Sequence, residues 1–215
     1  EVLGIAGMLG SGRTELLRVI FGVDPCETGE IVLDGKTVRP SSPAMMKELG
    51  LAFTPENRKE HALVQELSTR ANVCLSSLDR IAPSGVTTKA RERAAVLPLM
   101  DQLKVKVPDI EHAVASLSGG NQQKVVVAKW LNRSPRIILF DEPTRGIDVQ
   151  AKRQIFEIMW DMSRRGVGCI FVSSELEELV EVCHRILIMK HGTIVDEVFP
   201  GTLTTEDLAV RCMDA

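Results

Sequence analysis

The octapeptide Gly7–Thr14, which reads GMLGSGRT, lies between a short apolar run, Val2–Ala6, and a helix-forming segment, Glu15–Phe21. It matches the pattern Gly-x-x-x-x-Gly-Lys-Ser/Thr of phosphate-binding P-loops at every defined position except that of the lysine, where Arg13 stands. Glycines in such a loop let backbone N–H groups wrap around phosphate oxygens, and the final threonine is placed to hold Mg²⁺. The alternative is an ordinary glycine turn between a strand and a helix. The candidate phosphate-binding residues are Gly7, Gly10, Ser11, Gly12, Arg13, Thr14 and Glu15.

The residues outside this loop predict strands that alternate with helices. We expect strands at Val2–Ala6, Leu49–Phe53, Ile137–Phe140, Gly168–Val172, Arg185–Met189 and Thr193–Val198, and helices at Val149–Arg165 and Glu175–Cys183. Alternation of this kind implies right-handed crossovers and a largely parallel sheet. The pair Asp34-Gly35 supplies the positive φ angles of a two-residue hairpin turn. The sequence therefore predicts an α/β fold with a small antiparallel part.

Residues 56–115 have a different character, because they contain helical stretches and no good strand. Breaks are expected at Pro83-Ser84-Gly85 and at Pro108. We expect one domain in which residues 1–55 and 116–215 form the α/β core and residues 56–115 form a helical subdomain. Glu1 lies only a few residues before the phosphate loop, so we also expect the chain to be a piece of a longer protein.

Composition narrows the class of protein. The 215 residues are 44% hydrophobic and 26% charged, which is enough to bury a full core. No apolar run approaches the roughly 20 residues of a membrane span, so a soluble domain is expected. A formal net charge of −3 argues weakly against a nucleic-acid-binding surface. The five cysteines are widely spaced without a Cys-x-x-Cys pair, which indicates free thiols in a reducing cytosol.

A second candidate anion site is the stretch Ser116–Lys124, SLSGGNQQK, which precedes a helix expected over Gln122–Leu131. A hydroxyl group, two residues without Cβ and a helix N-terminus together favour anion binding, because free N–H groups and the positive end of the helix dipole face the ligand. Taken alone, the stretch could equally be an ordinary loop and N-cap.

The apolar run Ile137–Phe140 ends in two acidic residues, Asp141 and Glu142. Beside a P-loop, this is the Walker B arrangement, in which Asp141 can hold the Mg²⁺ and its water shell and Glu142 can polarise an attacking water. The alternative is a plain helix cap.

The segments Gly7–Thr14, Ser116–Lys124 and Ile137–Glu142 follow one another in this order along the chain. With this arrangement, the chain resembles the nucleotide-binding domains of ABC ATPases over essentially its whole length. Leu117–Asn121 is similar to the family's LSGGQ motif with Asn in the last place, and Gly146–Asp148 is similar to its D-loop. The resemblance implies a P-loop NTPase fold in which two domains meet head to tail. Each ATP then lies between the P-loop of one domain and the LSGGQ serine and glycines of the other. The residues implied to bind a partner's nucleotide are Ser118, Gly119, Gly120, Asn121 and Asp148.

Four blocks narrow the resemblance to the C-terminal half of the tandem ATPases of bacterial ribose-, galactose- and xylose-type importers. The blocks are Thr54–Lys59, Leu117–Lys124, Asp141–Val149 and Val172–Glu175. The implied cofactors are ATP and Mg²⁺. The implied partners are an N-terminal nucleotide-binding domain of the same polypeptide, membrane permease subunits and, indirectly, a periplasmic sugar-binding protein, with no nucleic acid. The implied location is the cytoplasmic face of the cell membrane, reached through the permease.

Three residues depart from the general ABC pattern. Arg13 replaces the P-loop lysine, Glu56 replaces a glutamine that contacts Mg²⁺, and Ser174 replaces a histidine that bonds the γ-phosphate. By resemblance, the metal-binding residues are Thr14, Glu56 and Asp141, and the catalytic positions are Glu142 and Ser174. Three altered contacts around one phosphate predict a slow or binding-only site in this chain, which would supply its Ser-Gly-Gly segment to a partner's site.

Two other classes of function stay open from the sequence. One is a nucleotide-dependent dimerisation or regulatory module that acts without a membrane partner. The other is a DNA-repair or translation-linked ABC protein, which predicts long coiled-coil insertions or a basic face, and the chain has neither.

Overall fold

The computed structural model of the protein describes residues 1–82 and 84–213. In this part of the chain, six strands form one sheet with the order β4-β5-β6-β1-β7-β8, and β2 and β3 form a separate hairpin. The strands are β1 (Val2–Ala6), β2 (Ile31–Leu33), β3 (Lys36–Val38), β4 (Leu51–Thr54), β5 (Ile137–Asp141), β6 (Gly168–Val172), β7 (Arg185–Lys190) and β8 (Thr193–Val198). The pairs β5–β6, β6–β1 and β1–β7 are parallel, and β7–β8 is antiparallel. The predicted α/β class with a mostly parallel sheet is confirmed.

Helices alternate with these strands as the sequence predicts. The α-helices in the described residues are α1 (Arg13–Phe21), α2 (Pro43–Glu48), α3 (Thr69–Cys74), α4 (Leu78–Ile81), α5 (Lys89–Gln102), α6 (Gly119–Leu131), α7 (Val149–Arg164), α8 (Leu176–Val182) and α9 (Thr205–Met213). A short π-helix spans Arg58–Ala62. Among these residues, no helix is both long enough and apolar enough to cross a membrane.

The first of two compact units comprises Glu1–Phe53, Arg136–Glu142 and the described residues from Met159 onward. The apolar strands form its core, in which Phe140, Phe171 and Ile188 are fully buried. Parallel strands covered on both faces read as continuous apolar runs, which is why these segments were recognisable in the sequence. The predicted hairpin turn is present, with φ of 50° at Asp34 and 74° at Gly35.

The second unit comprises Thr54–Pro135 and Pro143–Ile158. It is mainly helical, and α3 packs against both α5 and α6. The helical subdomain expected over residues 56–115 falls within this unit, which also contains α6 and the start of α7. The boundaries at residues 55 and 116 stay a prediction. Pro83, the first residue of the expected break, lies outside the described residues.

Candidate functional site

The phosphate loop lies in the first unit, between the end of β1 and the start of α1. Gly12 caps α1 with a φ of 99°, which favours glycine. A Cβ on Gly7 would lie 2.4 Å from the carbonyl oxygen of Met189 and 2.6 Å from Oγ of Ser11, so no side chain fits there. The Gly192 N–H donates to the Ser11 carbonyl at 2.8 Å and ties the loop to the β7–β8 turn.

Ser11 gives this loop an unsatisfied polar atom. Its side chain is 5% exposed, and its Oγ has no hydrogen-bond partner among the described residues. Leaving a buried hydroxyl unpaired costs free energy, so the loop is suited to a ligand that accepts or donates a hydrogen bond at that atom. A phosphate oxygen satisfies this requirement, and the free N–H groups at the start of α1 favour its negative charge.

Arg13, the residue in place of the P-loop lysine, points towards the end of β6. Its side chain is 8% exposed, and Nη1 donates to the carbonyl oxygen of Ser173 at 3.0 Å. Its Nη2 lies 4.0 Å from Oε1 of Glu142. The guanidinium is therefore a close counter-ion of the acidic residue that the Walker B pattern assigns to water activation.

Asp141 and Thr14 place two side-chain oxygen atoms next to each other. Thr14 Oγ1 donates to Asp141 Oδ1 at 3.1 Å, and Asp141 is 1% exposed. Burial raises the pKa of Asp141 to about 6, although the hydrogen bond from Thr14 opposes the shift. A bound divalent cation would neutralise this buried carboxylate. Mg²⁺ commonly binds through one or two carboxylates with substrate phosphates and waters, so the two residues fit this ion.

Glu142 has a backbone conformation that non-glycine residues seldom adopt, with a φ of 47°. Its N–H donates to the carbonyl of Val172 at 3.0 Å, which anchors it beside β6. Ser174 donates from its hydroxyl to Oε2 of Glu142 at 3.1 Å. Burial raises the pKa of Glu142, and its hydrogen bonds with Ser174 oppose the shift. Backbone strain of about 1–3 kcal/mol is common at functional sites, and here it falls on the candidate water-activating residue.

The Ser-Gly-Gly segment lies in the second unit, where the structure corrects one expectation. Helix α6 begins at Gly119 and not at Gln122, so both glycines belong to its first turn. A Cβ on Gly120 would lie 2.4 Å from Cβ of Ala151 in α7. A Cβ on Gly119 would meet Arg58 Nη2 at 2.7 Å and the carbonyl of Gly146 at 3.2 Å. Close packing against α7 therefore favours glycine at position 120, whereas at position 119 a Cβ would displace the end of the Arg58 side chain and press on the Gly146 carbonyl.

Glu56 and Asp148 also lie in the second unit, and both have partners there. The Glu56 carboxylate forms an ion pair with Arg145. Asp148 Oδ1 accepts a hydrogen bond from the N–H of Ala151 at 2.9 Å and so caps α7. The contacts predicted for these two residues with Mg²⁺ and with a partner's nucleotide stay predictions.

Arg58 is a residue that the sequence analysis quoted without giving it a role. Its Nη1 donates to the carbonyl of Arg145 at 2.9 Å, and its Nη2 lies 3.4 Å from the carbonyl of Gly146. Arg58 thus links the π-helix to the D-loop, and Gly119 lies next to this link. No local sequence signal predicts a contact across 87 residues.

The candidate residues are divided between the two compact units. The group in the first unit contains Gly7, Gly10, Ser11, Gly12, Arg13, Thr14, Glu15, Asp141, Glu142 and Ser174. The group in the second unit contains Glu56, Ser118, Gly119, Gly120, Asn121 and Asp148.

Comparison with known proteins gives consistent results. The family described as ABC transporter matches residues 1–145. The ribose import ATP-binding protein RbsA of Oceanobacillus iheyensis is 43% identical over 208 residues, which cover 97% of this chain and 42% of that protein. RbsA of Bacillus subtilis is 42% identical over 206 residues, covering 96% and 42%. YphE of Escherichia coli K12, named as an uncharacterized ABC transporter ATP-binding protein, is 44% identical over 209 residues, covering 97% and 41%.

Solved structures agree on the fold. The dimeric post-hydrolysis state of the ATP-binding cassette MJ0796, bound to ADP and phosphate, superposes with a TM-score of 0.79 at 23% identity and covers 93% of this chain and 85% of that one. The ADP form of the cassette MJ1267 superposes with a TM-score of 0.76 at 20% identity, covering 99% and 84%. The chain spans less than half the length of the curated relatives it matches. On the strength of the family match and of these relatives, the chain belongs to the ABC transporter family as an ATP-binding domain.

Proposed function

We propose that this chain is the energy-coupling ATP-binding domain of a bacterial monosaccharide importer and forms the C-terminal half of a tandem ATPase. The similarity to two proteins named for ribose import, over about 42% of their length, supports this proposal. The partners would be an N-terminal nucleotide-binding domain in the same polypeptide and membrane permease subunits, with a periplasmic sugar-binding protein acting indirectly. The domain would work at the cytoplasmic face of the membrane, where the permease holds it.

The chain's own P-loop site would bind ATP and hydrolyse it slowly or not at all. Thr14 and Asp141 would hold Mg²⁺, which supplies positive charge against the phosphate oxygens. Glu142 is the candidate general base for water. Both of its carboxylate oxygens already have partners, because Arg13 lies 4.0 Å from one and Ser174 donates to the other at 3.1 Å. A base held in this way is poorly available to accept a proton from water.

The Ser-Gly-Gly segment would serve a different ATP, which is bound by the P-loop of the partner domain. Ser118 is exposed, and the N–H groups of the first turn of α6 point out of the helix N-terminus. A γ-phosphate placed there would receive hydrogen bonds from the serine hydroxyl and from the backbone. The site on the partner would then be the one that drives transport.

The observation that carries this proposal is the contact of Arg13 with Ser173 and Glu142, which supports a restrained Glu142 in this chain's own site. The test compares Ser118→Ala with Arg13→Ala in the complete tandem ATPase with its permease. A hydrogen bond to a charged group contributes about 1.5–3 kcal/mol, so Ser118→Ala should lower ATP turnover by roughly 10- to 100-fold. Arg13→Ala should lower it by less than about threefold.

Arg13→Ala also removes a buried cation, so its thermal stability is measured alongside. Turnover is compared at a temperature where all variants are folded, and ATP binding to each P-loop is followed separately. Equal losses in the two variants would contradict the division of labour between the sites. Absence of a bound permease after purification would instead favour a regulatory module.

A further inference from the structure

The side-chain amide of Asn121 makes two hydrogen bonds in the first turn of α6. Oδ1 accepts from the backbone N–H of Lys106 at 2.9 Å, and Nδ2 donates to Oγ of Ser118 at 3.0 Å. A backbone N–H can only donate a hydrogen bond. The contact with Lys106 therefore requires the oxygen of Asn121 on that side and the NH₂ group on the side of Ser118.

This arrangement determines what the Ser118 hydroxyl can do. A serine hydroxyl has one proton to donate and two lone pairs that accept. Serine at an N-cap usually accepts from a backbone N–H of the first turn, but the side chain of Ser118 makes no such bond. Asn121 donates to one of its lone pairs, so the hydroxyl proton has to point away from Asn121. Among the described residues, no acceptor takes this proton.

The surroundings of Ser118 favour an anion as the acceptor. A small cavity of about 130 Å³ lies beside it, and its walls include Lys106 and Lys124 as well as the carboxylate of Asp148. Lys124, one of these lining residues, donates from Nζ to the backbone carbonyl of Lys104 at 2.9 Å. Asp148 is held by its contact at the start of α7. A hydroxyl whose proton points away from Asn121, in a cavity that two lysines line, is suited to donate to an anionic oxygen.

We propose that Asn121 is a positioning residue that acts through Ser118. By donating to the serine oxygen, it keeps the hydroxyl proton directed outward, so that Ser118 serves as a hydrogen-bond donor to a phosphate oxygen of the partner's nucleotide. This inference rests on the proposed function, in which Ser118 contacts an ATP bound by the P-loop of the partner domain. It gives Asn121 a different role from the direct nucleotide contact that the sequence led us to expect.

Asn121→Asp tests this role with little change of shape. A carboxylate at this position keeps the acceptor for the N–H of Lys106, but it replaces the donor facing Ser118 with an acceptor. The Ser118 proton would then turn inward and its lone pairs would face the phosphate. We expect kcat/KM of the complete tandem ATPase to fall on the order of 10- to 100-fold, about as much as in Ser118→Ala.

A double-mutant cycle separates action through Ser118 from any independent effect. In the Ser118→Ala background, Asn121→Asp should change kcat/KM by less than about threefold, because the hydroxyl that it misdirects is already absent. The matched control is Asn132→Asp at the other end of α6, where the asparagine donates to the hydroxyl of Ser77 at 2.7 Å. This variant should lower thermal stability and leave kcat/KM within about twofold. Equal losses from Asn121→Asp in both serine backgrounds would overturn the positioning role.

A measurement on the isolated chain distinguishes the inference from the function on which it rests. In ¹H–¹⁵N spectra, the side-chain NH₂ signals of Asn121 should shift when Ser118→Ala removes their acceptor. Unshifted signals would overturn the inference and leave the proposed function standing. Shifted signals together with full ATPase activity in Ser118→Ala would overturn the proposed contact of Ser118 with the partner's nucleotide. The hydrogen bond between Asn121 and Ser118 would then have no role in catalysis.

Discussion

Replacing Gly120 by alanine tests whether packing, and not only anion binding, explains the second glycine of the Ser-Gly-Gly segment. The added Cβ would lie 2.4 Å from Cβ of Ala151, far inside the 3.5–4.0 Å at which carbon atoms attract each other. Both positions belong to helices, α6 and α7. We therefore expect Gly120→Ala to destabilise the protein although alanine is the better helix former.

The size of the effect follows from two opposing contributions. Overpacking of this kind costs about 1–3 kcal/mol. Alanine in place of glycine within a helix returns roughly 0.5–1 kcal/mol. Gly120→Ala should therefore lower the free energy of unfolding by up to about 2.5 kcal/mol, with a value of about 1 kcal/mol at the middle of both ranges. In the Ala151→Gly background, the nearest atom to the new methyl group is the Cα of residue 151 at 3.8 Å, which is an ordinary contact. There the same substitution should be neutral or stabilising.

The assay is equilibrium unfolding in urea, followed by the fluorescence of the two tryptophans, Trp130 and Trp160, and by far-ultraviolet circular dichroism. The coupling free energy between positions 120 and 151 should be about 1–3 kcal/mol, with a sign that favours one methyl group over two. Gly201→Ala is the control, because no heavy atom lies within 4 Å of the place its Cβ would take. Additive effects of Gly120→Ala and Ala151→Gly would refute the packing explanation.

Two further predictions concern the second unit. Burial lowers the pKa of Lys129 to about 8, so the folded protein holds fewer protons than the unfolded one between about pH 8 and pH 10.5, and stability rises with pH in that window. Urea unfolding at several pH values should show wild type gaining about 2–3 kcal/mol relative to Lys129→Met from pH 8 to pH 10.5, whereas a constant difference would contradict the shift. Arg58→Met should raise hydrogen exchange at the Ile147 amide on the order of tenfold, because it frees the D-loop carbonyls. Lys59→Met, on the same π-helix, should leave this exchange unchanged, and equal exchange in both variants would show that the Arg58 hydrogen bonds do not hold the D-loop.

Local sequence patterns were sufficient to predict most of the strands and their arrangement in the fold. The runs Ile137–Phe140 and Gly168–Val172 are apolar throughout, alternate with helical segments, and pair in parallel as expected. The pair Asp34-Gly35 has the positive φ angles that its turn type requires. These features depend on a few neighbouring residues, so the order of residues along the chain is sufficient to predict them.

The start of α6 was not predictable in the same way. Two glycines in succession lower helix propensity by about 1 kcal/mol each, which led to a predicted start at Gln122. In the structure α6 begins at Gly119, and its first turn lies against Ala151 of α7, where a Cβ on Gly120 would come within 2.4 Å of the alanine Cβ. This contact joins positions about thirty residues apart, and local helix propensity carries no information about it.

The contacts of the candidate site change how the three departures from the family pattern relate to one another. Arg13 and Ser174 both contact the carboxylate of Glu142, one at each oxygen, whereas Glu56 pairs with Arg145 in the other unit. The sequence suggested three separate losses around one phosphate. The structure instead joins two of them at one group, and residues that act on the same group have effects that do not add. We therefore attribute the weak activity proposed for this site to one group, the restrained carboxylate of Glu142. The role of Glu56 is a separate question.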